Sequence, residues 1–208
     1  MTVLEQFGII PIDYSALVTA FANYKSPKDK IAALVKIGSL IRLKKGLFVV
    51  APKIHKHPLM MELIANHLYG PSYFSLESAL SFYGMIPERV HSTRSVTFKR
   101  ARQFSTAIGI FDYVRVPDAY FGIGVRQEFI DNQYVFLMAS PEKAICDMII
   151  TTPGLRIQSV KAMQSYLEED LRIDFSNVDN YNTEIIRHCI AMGRKKTELT
   201  QLYKFMEQ

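Results

Sequence analysis

Three cationic side chains are crowded into the segment GSLIRLKKGLFVV, residues 38–50, which has the pattern of two short strands joined by a turn. Arg42, Lys44 and Lys45 stand at the end of the first strand, and Gly46 has the backbone freedom that a tight turn requires. Because side chains alternate along a strand, we expect Arg42 and Lys44 on the same face. Cations crowded at a hairpin tip are suited to binding phosphate groups.

The segment just before this hairpin predicts a helix that would present a polar face to the same ligand. Ser26 can cap its N-terminus, and Pro27 fits the first helical position, where no partner for an N–H is needed. Ile31, Leu34 and Val35 share one face, which is expected to be buried. The residues expected on or beside the opposite face are Lys28, Asp29, Ala32, Ala33 and Lys36.

An apolar repeat after Asp13 predicts an earlier helix, because residues 14, 17, 18 and 21 are apolar or aromatic at the spacing of one buried stripe. The resulting order of helix, turn, helix and basic hairpin is that of a winged helix-turn-helix. In such domains the second helix enters the major groove, while the hairpin, or wing, contacts neighbouring phosphates. We therefore predict that residues 1–57 bind double-stranded DNA.

The predicted DNA-binding residues divide into two groups with different tasks. The hairpin cations would hold phosphates, which gives affinity without sequence information. Lys28, Asp29 and Lys36 would reach base edges. The alternative is a pair of helices with a solvated, charged hairpin that contacts another protein. The complete set of predicted DNA-binding residues is Lys25, Ser26, Lys28, Asp29, Lys36, Arg42, Lys44 and Lys45.

The charge distribution supports a division of the chain near residue 57. The 208 residues carry a formal net charge of +5, but residues 1–57 hold nine basic and three acidic side chains, whereas residues 58–208 hold sixteen and seventeen. The segment APKIHKHP, residues 51–58, has two prolines and no helical or strand period, so we predict a solvated linker. His55 and His57 have no Cys, Asp or Glu close to them in the chain, which disfavours a metal site. We predict two domains, residues 1–57 and residues 58–208.

The second region predicts a mixed domain with a helical tail. One helical pattern runs from about residue 59 to residue 68, and another opens at Ser75. A period of two follows in residues 94–118 and 133–140, which predicts several antiparallel strands. Three helical patterns follow Pro153. The expected fold class is α+β: an N-terminal winged helix-turn-helix, then a mixed α/β domain with antiparallel strands and a helical C-terminal part.

Two segments of this second region resemble a known family. They are YFSLESALSFYGMIP, residues 73–87, and ASPEKAICD, residues 139–147. Together with the predicted winged helix before them, they resemble the AbiEi-type antitoxins, the antitoxin halves of type IV toxin-antitoxin systems first described in phage abortive infection. The resemblance implies that the N-terminal domain binds promoter DNA and represses its own operon. It also implies that the C-terminal domain antagonises, directly or functionally, a nucleotidyltransferase-like toxin encoded beside it.

Some polar or reactive residues of the second region have both a structural and a chemical interpretation. Lys143 and Asp147 are spaced to pair across one helical turn, and we favour packing over a catalytic pair. Cys146 and Cys189 lie in apolar helical patterns, as buried thiols do. The basic segment KRAR, residues 99–102, lies between predicted strands. It could extend a phosphate-binding surface or contact an acidic partner, and both alternatives stay open.

The sequence lacks the complete motif of each enzyme class that its residues suggest. Gly38 and Ser39 are not followed by the paired carboxylates of a nucleotidyltransferase. Asp118 could open the metal motif of a restriction-type nuclease, but no Asp or Glu in the chain is followed two residues later by Lys. We therefore expect neither an enzyme nor a bound cofactor or metal. No apolar run approaches the length of a membrane span and no basic region precedes the first apolar stretch, so we expect a cytoplasmic protein.

Two alternatives to an antitoxin that represses its own operon stay open. The first is a stand-alone transcription regulator whose second domain senses a ligand. The second is a toxin-binding interaction protein whose winged helix no longer binds DNA. A nucleotidyltransferase-like open reading frame beside the gene would favour the antitoxin.

Overall fold

Two β-sheets organise the chain, a small one near the N-terminus and a larger one in the second region. The computed structural model describes residues 3–88, 90–130, 133–177 and 181–208. Within these residues helices and strands are mixed, which confirms the expected α+β character at this coarse level. The small sheet has three strands and the large sheet has six.

The N-terminal region combines two helices with the three-stranded antiparallel sheet. Its elements are β1 (Ile12–Asp13), α1 (Tyr14–Ala20), α2 (Pro27–Lys36), β2 (Leu40–Lys44) and β3 (Leu47–Val50), preceded by a 3₁₀ turn (Glu5–Phe7). Strand β3 lies between β1 and β2, so the residues just before α1 pair with the second strand of the hairpin. The buried side chains that join the helices to this sheet include Leu17, Phe21, Ile31, Leu34, Leu40 and Phe48.

The sequence signals at both ends of α2 are confirmed. The Ser26 hydroxyl accepts a hydrogen bond from the Asp29 N–H at 3.4 Å, and Pro27 occupies the first helical turn. Gly38 follows the helix with a φ of 67°, a left-handed conformation that glycine adopts without a Cβ clash. The start of α1 is less regular, because Asp13 precedes the helix but its carboxylate does not cap the described N–H groups.

The large sheet is mixed. Its strands are β4 (Tyr73–Phe74), β5 (Ser92–Thr97), β6 (Arg102–Thr106), β7 (Gly109–Arg115), β8 (Val125–Ile130) and β9 (Tyr134–Ala139). They lie in the order β6-β7-β5-β4-β9-β8. Antiparallel pairs are present as expected, but β5 pairs with β7 in parallel, and so does β4 with β9. The expected antiparallel strands are therefore confirmed, and the two parallel pairs are a feature that the sequence did not predict.

Further helices follow the hairpin along the chain and include the C-terminal part. They are α3 (Pro52–His55), α4 (Met61–Leu68), α5 (Leu76–Phe82), α6 (Asp118–Phe121), α7 (Pro141–Thr151), α8 (Val160–Ser165), α9 (Thr183–Met192) and α10 (Lys196–Met206). A π-helical turn (Tyr166–Asp170) continues α8. The three helical patterns predicted after Pro153 are therefore confirmed, and their apolar residues Met163, Leu167, Ile186 and Leu199 are buried.

The predicted linker contains a short helix. Pro52 begins the short helix α3, which ends at His55 because Lys56 has a φ of 62° and so leaves the helical conformation. A ring nitrogen of His55 lies 3.2 Å from the Val50 carbonyl oxygen, and its other ring nitrogen accepts a hydrogen bond from the His57 N–H at 3.1 Å. The prediction missed this helix because four residues are too few to show a helical period.

The hairpin of β2 and β3 packs on both regions of the chain. On one side, Leu40 and Phe48 belong to the core formed with α1 and α2. On the other side, Leu43, Leu47 and Val49 belong to a second buried cluster, together with residues of α4 and β7 that include Ile64, Leu68, Phe111 and Tyr113. The hairpin therefore packs against both regions. Its buried side chains, which precede residue 51, are in one apolar cluster with side chains that follow residue 58.

Candidate nucleic-acid interface

The open face of α2 carries the polar and small residues that its sequence predicts. Lys28, Asp29 and Lys36 are exposed, whereas Ile31 and Leu34 are buried. The exposed positions between these polar residues are occupied by Ala32 and Ala33. Because alanine side chains are short, this face lets another molecule approach the helix backbone closely while charged groups reach out on either side.

A groove of about 510 Å³ separates α2 from the hairpin. Its apolar lining includes Ile31 and Phe48, and the exposed cations Lys28, Arg42 and Lys45 also line it. A sugar–phosphate backbone has the complementary chemistry, since its sugars present apolar surface and its phosphates present negative charge.

The tip of the hairpin is held in place by backbone geometry. Gly46 has a φ of 84°, and its carbonyl oxygen accepts a hydrogen bond from the Tyr14 N–H at 2.9 Å. This hydrogen bond ties the turn to the start of α1. Gly46 therefore adopts a left-handed backbone conformation in this turn, as its sequence position predicted.

Lys44 does not occupy the position that strand alternation predicts. Strand β2 contains a bulge, because Arg42 pairs with Phe48 while Lys44 pairs with Leu47. The bulge turns Lys44 towards the second region, where its Nζ donates a hydrogen bond to the Leu68 carbonyl at 2.5 Å. Burial lowers the pKa of Lys44, and the nearby Asp13 carboxylate opposes that change. Lys44 is thus separated from the groove-lining cations Arg42 and Lys45.

The remaining predicted residues fall into clear roles. Lys25 is exposed just before α2, and Ser26 is engaged as the helix cap. Within the described residues, no carboxylate lies within 4.0 Å of the charged nitrogens of these five cations: Lys25, Lys28, Lys36, Arg42 and Lys45. Five cations of the candidate interface are therefore available to an anionic ligand.

Sequence reasoning missed three residues that shape this surface. Tyr14 and Val35 line the groove beside the cations, although the sequence marked both as core residues. Lys53, assigned to the linker, donates from Nζ to the Ile37 carbonyl at 3.0 Å and so holds the C-terminal end of α2. A single lysine after a predicted helix end carries no sequence signal for such a contact.

A second cluster of polar residues lies in the core of the second region. The Asp147 carboxylate accepts hydrogen bonds from the hydroxyls of Tyr73 at 2.9 Å, Ser75 at 2.7 Å and Tyr120 at 2.8 Å. It also lies 3.3 Å from the Lys143 Nζ, which confirms the pairing that the spacing predicts. Lys143 and Asp147 are both fully buried, so we interpret this cluster as part of the core.

The two cysteines are also buried, as predicted, and neither forms a disulfide. Among residues 3–88, 90–130, 133–177 and 181–208, no group of three or more His, Cys, Asp or Glu side chains is arranged to hold a metal ion. None of the helices in these ranges combines the length and the apolar character that a membrane crossing needs.

Comparisons with known proteins add no family to these observations. No protein-family model matches the chain, and no curated protein matches it. The resemblance to AbiEi-type antitoxins therefore rests on the two segments quoted above and on the order of the N-terminal elements.

Proposed function

We propose that this protein binds duplex DNA through α2 and the β2–β3 hairpin and represses the promoter of its own operon. The observation that carries the proposal is the groove between these two elements, which has an apolar lining and unpaired cations around it. The order of α1, α2 and the hairpin is that of a winged helix-turn-helix, in which the second helix enters the major groove.

Different residues have different tasks in this complex. Arg42 and Lys45 contact phosphates on the hairpin side of the groove, so they raise the affinity for every sequence alike. Lys28, Asp29 and Lys36 project from the exposed face of α2 towards base edges. The positions of Ala32 and Ala33 between them allow α2 to enter the groove of the duplex closely.

Competition binding tests this assignment. The full chain is titrated into a labelled duplex from its own promoter, with unlabelled promoter or scrambled duplex as competitor. Lys28→Ala or Lys36→Ala should weaken binding to the promoter by about 1–3 kcal/mol for each lost base contact, with a much smaller effect on scrambled DNA. Lys161→Ala, at an exposed position of α8, is the control and should leave binding to the promoter and to scrambled DNA unchanged. Equal losses on both sequences would contradict base contacts by α2.

We further propose that this repressor is an antitoxin that antagonises a nucleotidyltransferase-like toxin encoded beside it, directly or functionally. Support comes from the resemblance of residues 73–87 and 139–147 to the AbiEi-type family. These residues include α5 and the first part of α7, two helices that pack against each other, and the Ser75 hydroxyl donates a hydrogen bond to the Asp147 carboxylate across this contact.

A charge-reversal variant of the full chain separates the two activities. Lys28→Glu/Lys45→Glu places two negative charges beside the groove, so it should abolish repression of the promoter. Its second region is unchanged, so it should still restore growth to cells that express the toxin. The wild-type chain and a Lys161→Glu variant should both repress the promoter and restore growth. Loss of protection in a charge-reversal variant that unfolds at the wild-type temperature would show that neutralisation needs DNA binding.

A further inference from the structure

Two aromatic rings beside the hairpin form a platform for positive charge. Tyr69 follows α4 and Phe104 lies in β6, and their ring centroids are 5.8 Å apart. The buried ring of Tyr113 in β7 packs against both rings, with its centroid 5.2 Å from that of Tyr69 and 5.8 Å from that of Phe104. The rings are half-buried or buried, so the platform is a fixed part of the fold.

Three cations lie over these rings, and we name them together with Tyr69 and Phe104 the Tyr69–Phe104 cluster. The Arg102 guanidinium is 4.8 Å from the Phe104 centroid and 5.9 Å from that of Tyr69. The Lys99 Nζ is 5.9 Å from the Tyr69 centroid, and the Lys44 Nζ is 5.9 Å from that of Phe104. Cation–π attraction holds these groups on the surface without neutralising their charge.

Hydrogen bonds to main-chain carbonyls fix the cluster further. The Lys99 Nζ donates to the Gly70 carbonyl at 2.7 Å, and the Tyr69 hydroxyl donates to the Arg100 carbonyl at 3.1 Å. An ammonium group has three protons, so Lys99 and Lys44 each keep donors for another partner after these contacts. Arg100 is exposed, and its main-chain carbonyl lies next to the cluster through the hydrogen bond from the Tyr69 hydroxyl.

The cluster contains more positive charge than its surroundings compensate. Of the residues that the structure describes, none brings a carboxylate within 4.0 Å of the charged nitrogens of Lys99, Arg100 or Arg102. Burial lowers the pKa of Lys44, the Asp13 carboxylate opposes this change, and the positive charges of Arg102 and Lys99 lower the pKa further, so both of these cations repel Lys44. A bound polyanion would relieve this repulsion.

We propose that the Tyr69–Phe104 cluster and Arg100 form a second phosphate-binding surface, which extends the DNA contact of the hairpin onto β6 of the second region. The proposal rests on the proposed DNA-binding function. Lys44 lies in the hairpin strand β2 and its Nζ is part of the cluster, so the cluster adjoins the hairpin. The cations cover the aromatic rings, so the surface offers charge to a phosphate backbone and little apolar area to a protein partner.

The salt dependence of DNA binding measures this contribution. The full chain and an Arg100→Gln/Arg102→Gln variant are titrated into a labelled random-sequence duplex at several salt concentrations. Loss of two phosphate contacts should reduce the slope of log K against log salt by about 1.8 and weaken binding about tenfold or more at physiological salt. Arg102→Lys keeps the charge and should retain most of the slope.

The matched control removes two arginines that also stack on tyrosines elsewhere. Arg126 lies 5.0 Å from the Tyr83 ring centroid, and Arg187 lies 5.1 Å from that of Tyr203. The Arg126→Gln/Arg187→Gln variant lowers the net charge equally and should bind with the wild-type slope.

The outcomes separate this proposal from the function on which it rests. If Arg100→Gln/Arg102→Gln keeps the wild-type slope while Lys45→Ala lowers it, the second surface is wrong and hairpin binding stands. If the wild-type chain binds no duplex, the proposed function itself fails. A wild-type slope combined with loss of protection against the toxin would assign the cluster to an acidic protein partner and overturn the proposal.

Discussion

At the scale of single residues, four side chains fix the position of Asp147 in the second region. Three hydroxyls donate to its carboxylate and Lys143 lies beside it, all in a site closed to solvent. These contacts connect α7 to β4, to the start of α5 and to α6. A buried charge without its partner is costly, so each member of the cluster depends on the others.

Asp147→Ala should therefore destabilise the protein by about 3–5 kcal/mol, because Lys143 is left as a buried cation without its counter-charge. Urea unfolding followed by circular dichroism measures the change. Lys143→Met/Asp147→Leu, which removes both charges, should be less destabilised than Asp147→Ala. Glu184→Ala breaks an exposed ion pair with Arg187 and serves as the control, with no measurable change expected. A loss no larger than that of the control would contradict the structural role of the cluster.

The buried tyrosines predict how stability depends on pH. Burial, followed by the Asp147 charge, raises the pKa of Tyr73 and of Tyr120 well above the ordinary value of 10.0. Above that pH the unfolded chain loses these protons while the folded chain retains them, so stability is full below pH 10 and falls as the pH rises. The expected slope is about 1.4 kcal/mol per pH unit for each such tyrosine. Urea unfolding between pH 8 and pH 11 measures it, and constant stability across this range would contradict the burial of these hydroxyls.

At the scale of elements, the sequence predicts what local signals determine. The cap at Ser26, the end of α2 at Gly38 and the buried stripes of the C-terminal helices follow from nearby residues alone, and all are confirmed. The parallel pairing of β5 with β7 depends on contacts between distant segments, which carry no local pattern. The bulge at β2 also escaped prediction, so the orientation of Lys44 was wrong although the hairpin was right.

Gly46→Ala tests whether the geometry of the hairpin tip matters for DNA binding. The φ of 84° at Gly46 is strained for alanine, and no atom crowds the site, so the cost of about 1 kcal/mol comes from the backbone alone. We expect a small loss of stability and weaker DNA binding, because the tip moves away from α2. Gly122→Ala is the control, since Gly122 has equally open surroundings and a φ of −81°. Equal DNA affinity in both variants would show that the tip geometry does not affect binding.

At the scale of the whole molecule, the two regions share the hairpin. A division into residues 1–57 and 58–208 follows the charge, but the buried cluster of Leu43, Leu47 and Val49 with α4 and β7 crosses that boundary. A fragment of residues 58–208 would expose the apolar side chains that these residues cover. For this reason full-length variants, and not fragments, are the appropriate means to separate DNA binding from neutralisation.

Leu43→Ala measures the coupling between the regions. Truncation of this buried side chain should cost about 2–5 kcal/mol. Leu43 precedes the boundary and packs with buried residues that follow it, so the full chain should still unfold in one transition, at a lower denaturant concentration. Ile37→Ala, at a side chain that is 63% exposed, is the control and should leave the transition unchanged. Two separate transitions, of which only one shifts, would show that the regions fold independently.

The salt dependence of binding to duplex DNA tests the central claim most directly, namely that the protein binds the duplex through α2 and the hairpin. Arg42 and Lys45 are the cations assigned to phosphates in this region, so replacing both by glutamine should reduce the magnitude of the slope of log K against log salt by about 1.8. Binding of the full chain with no salt dependence, or a double variant with an unchanged slope, would contradict the claim.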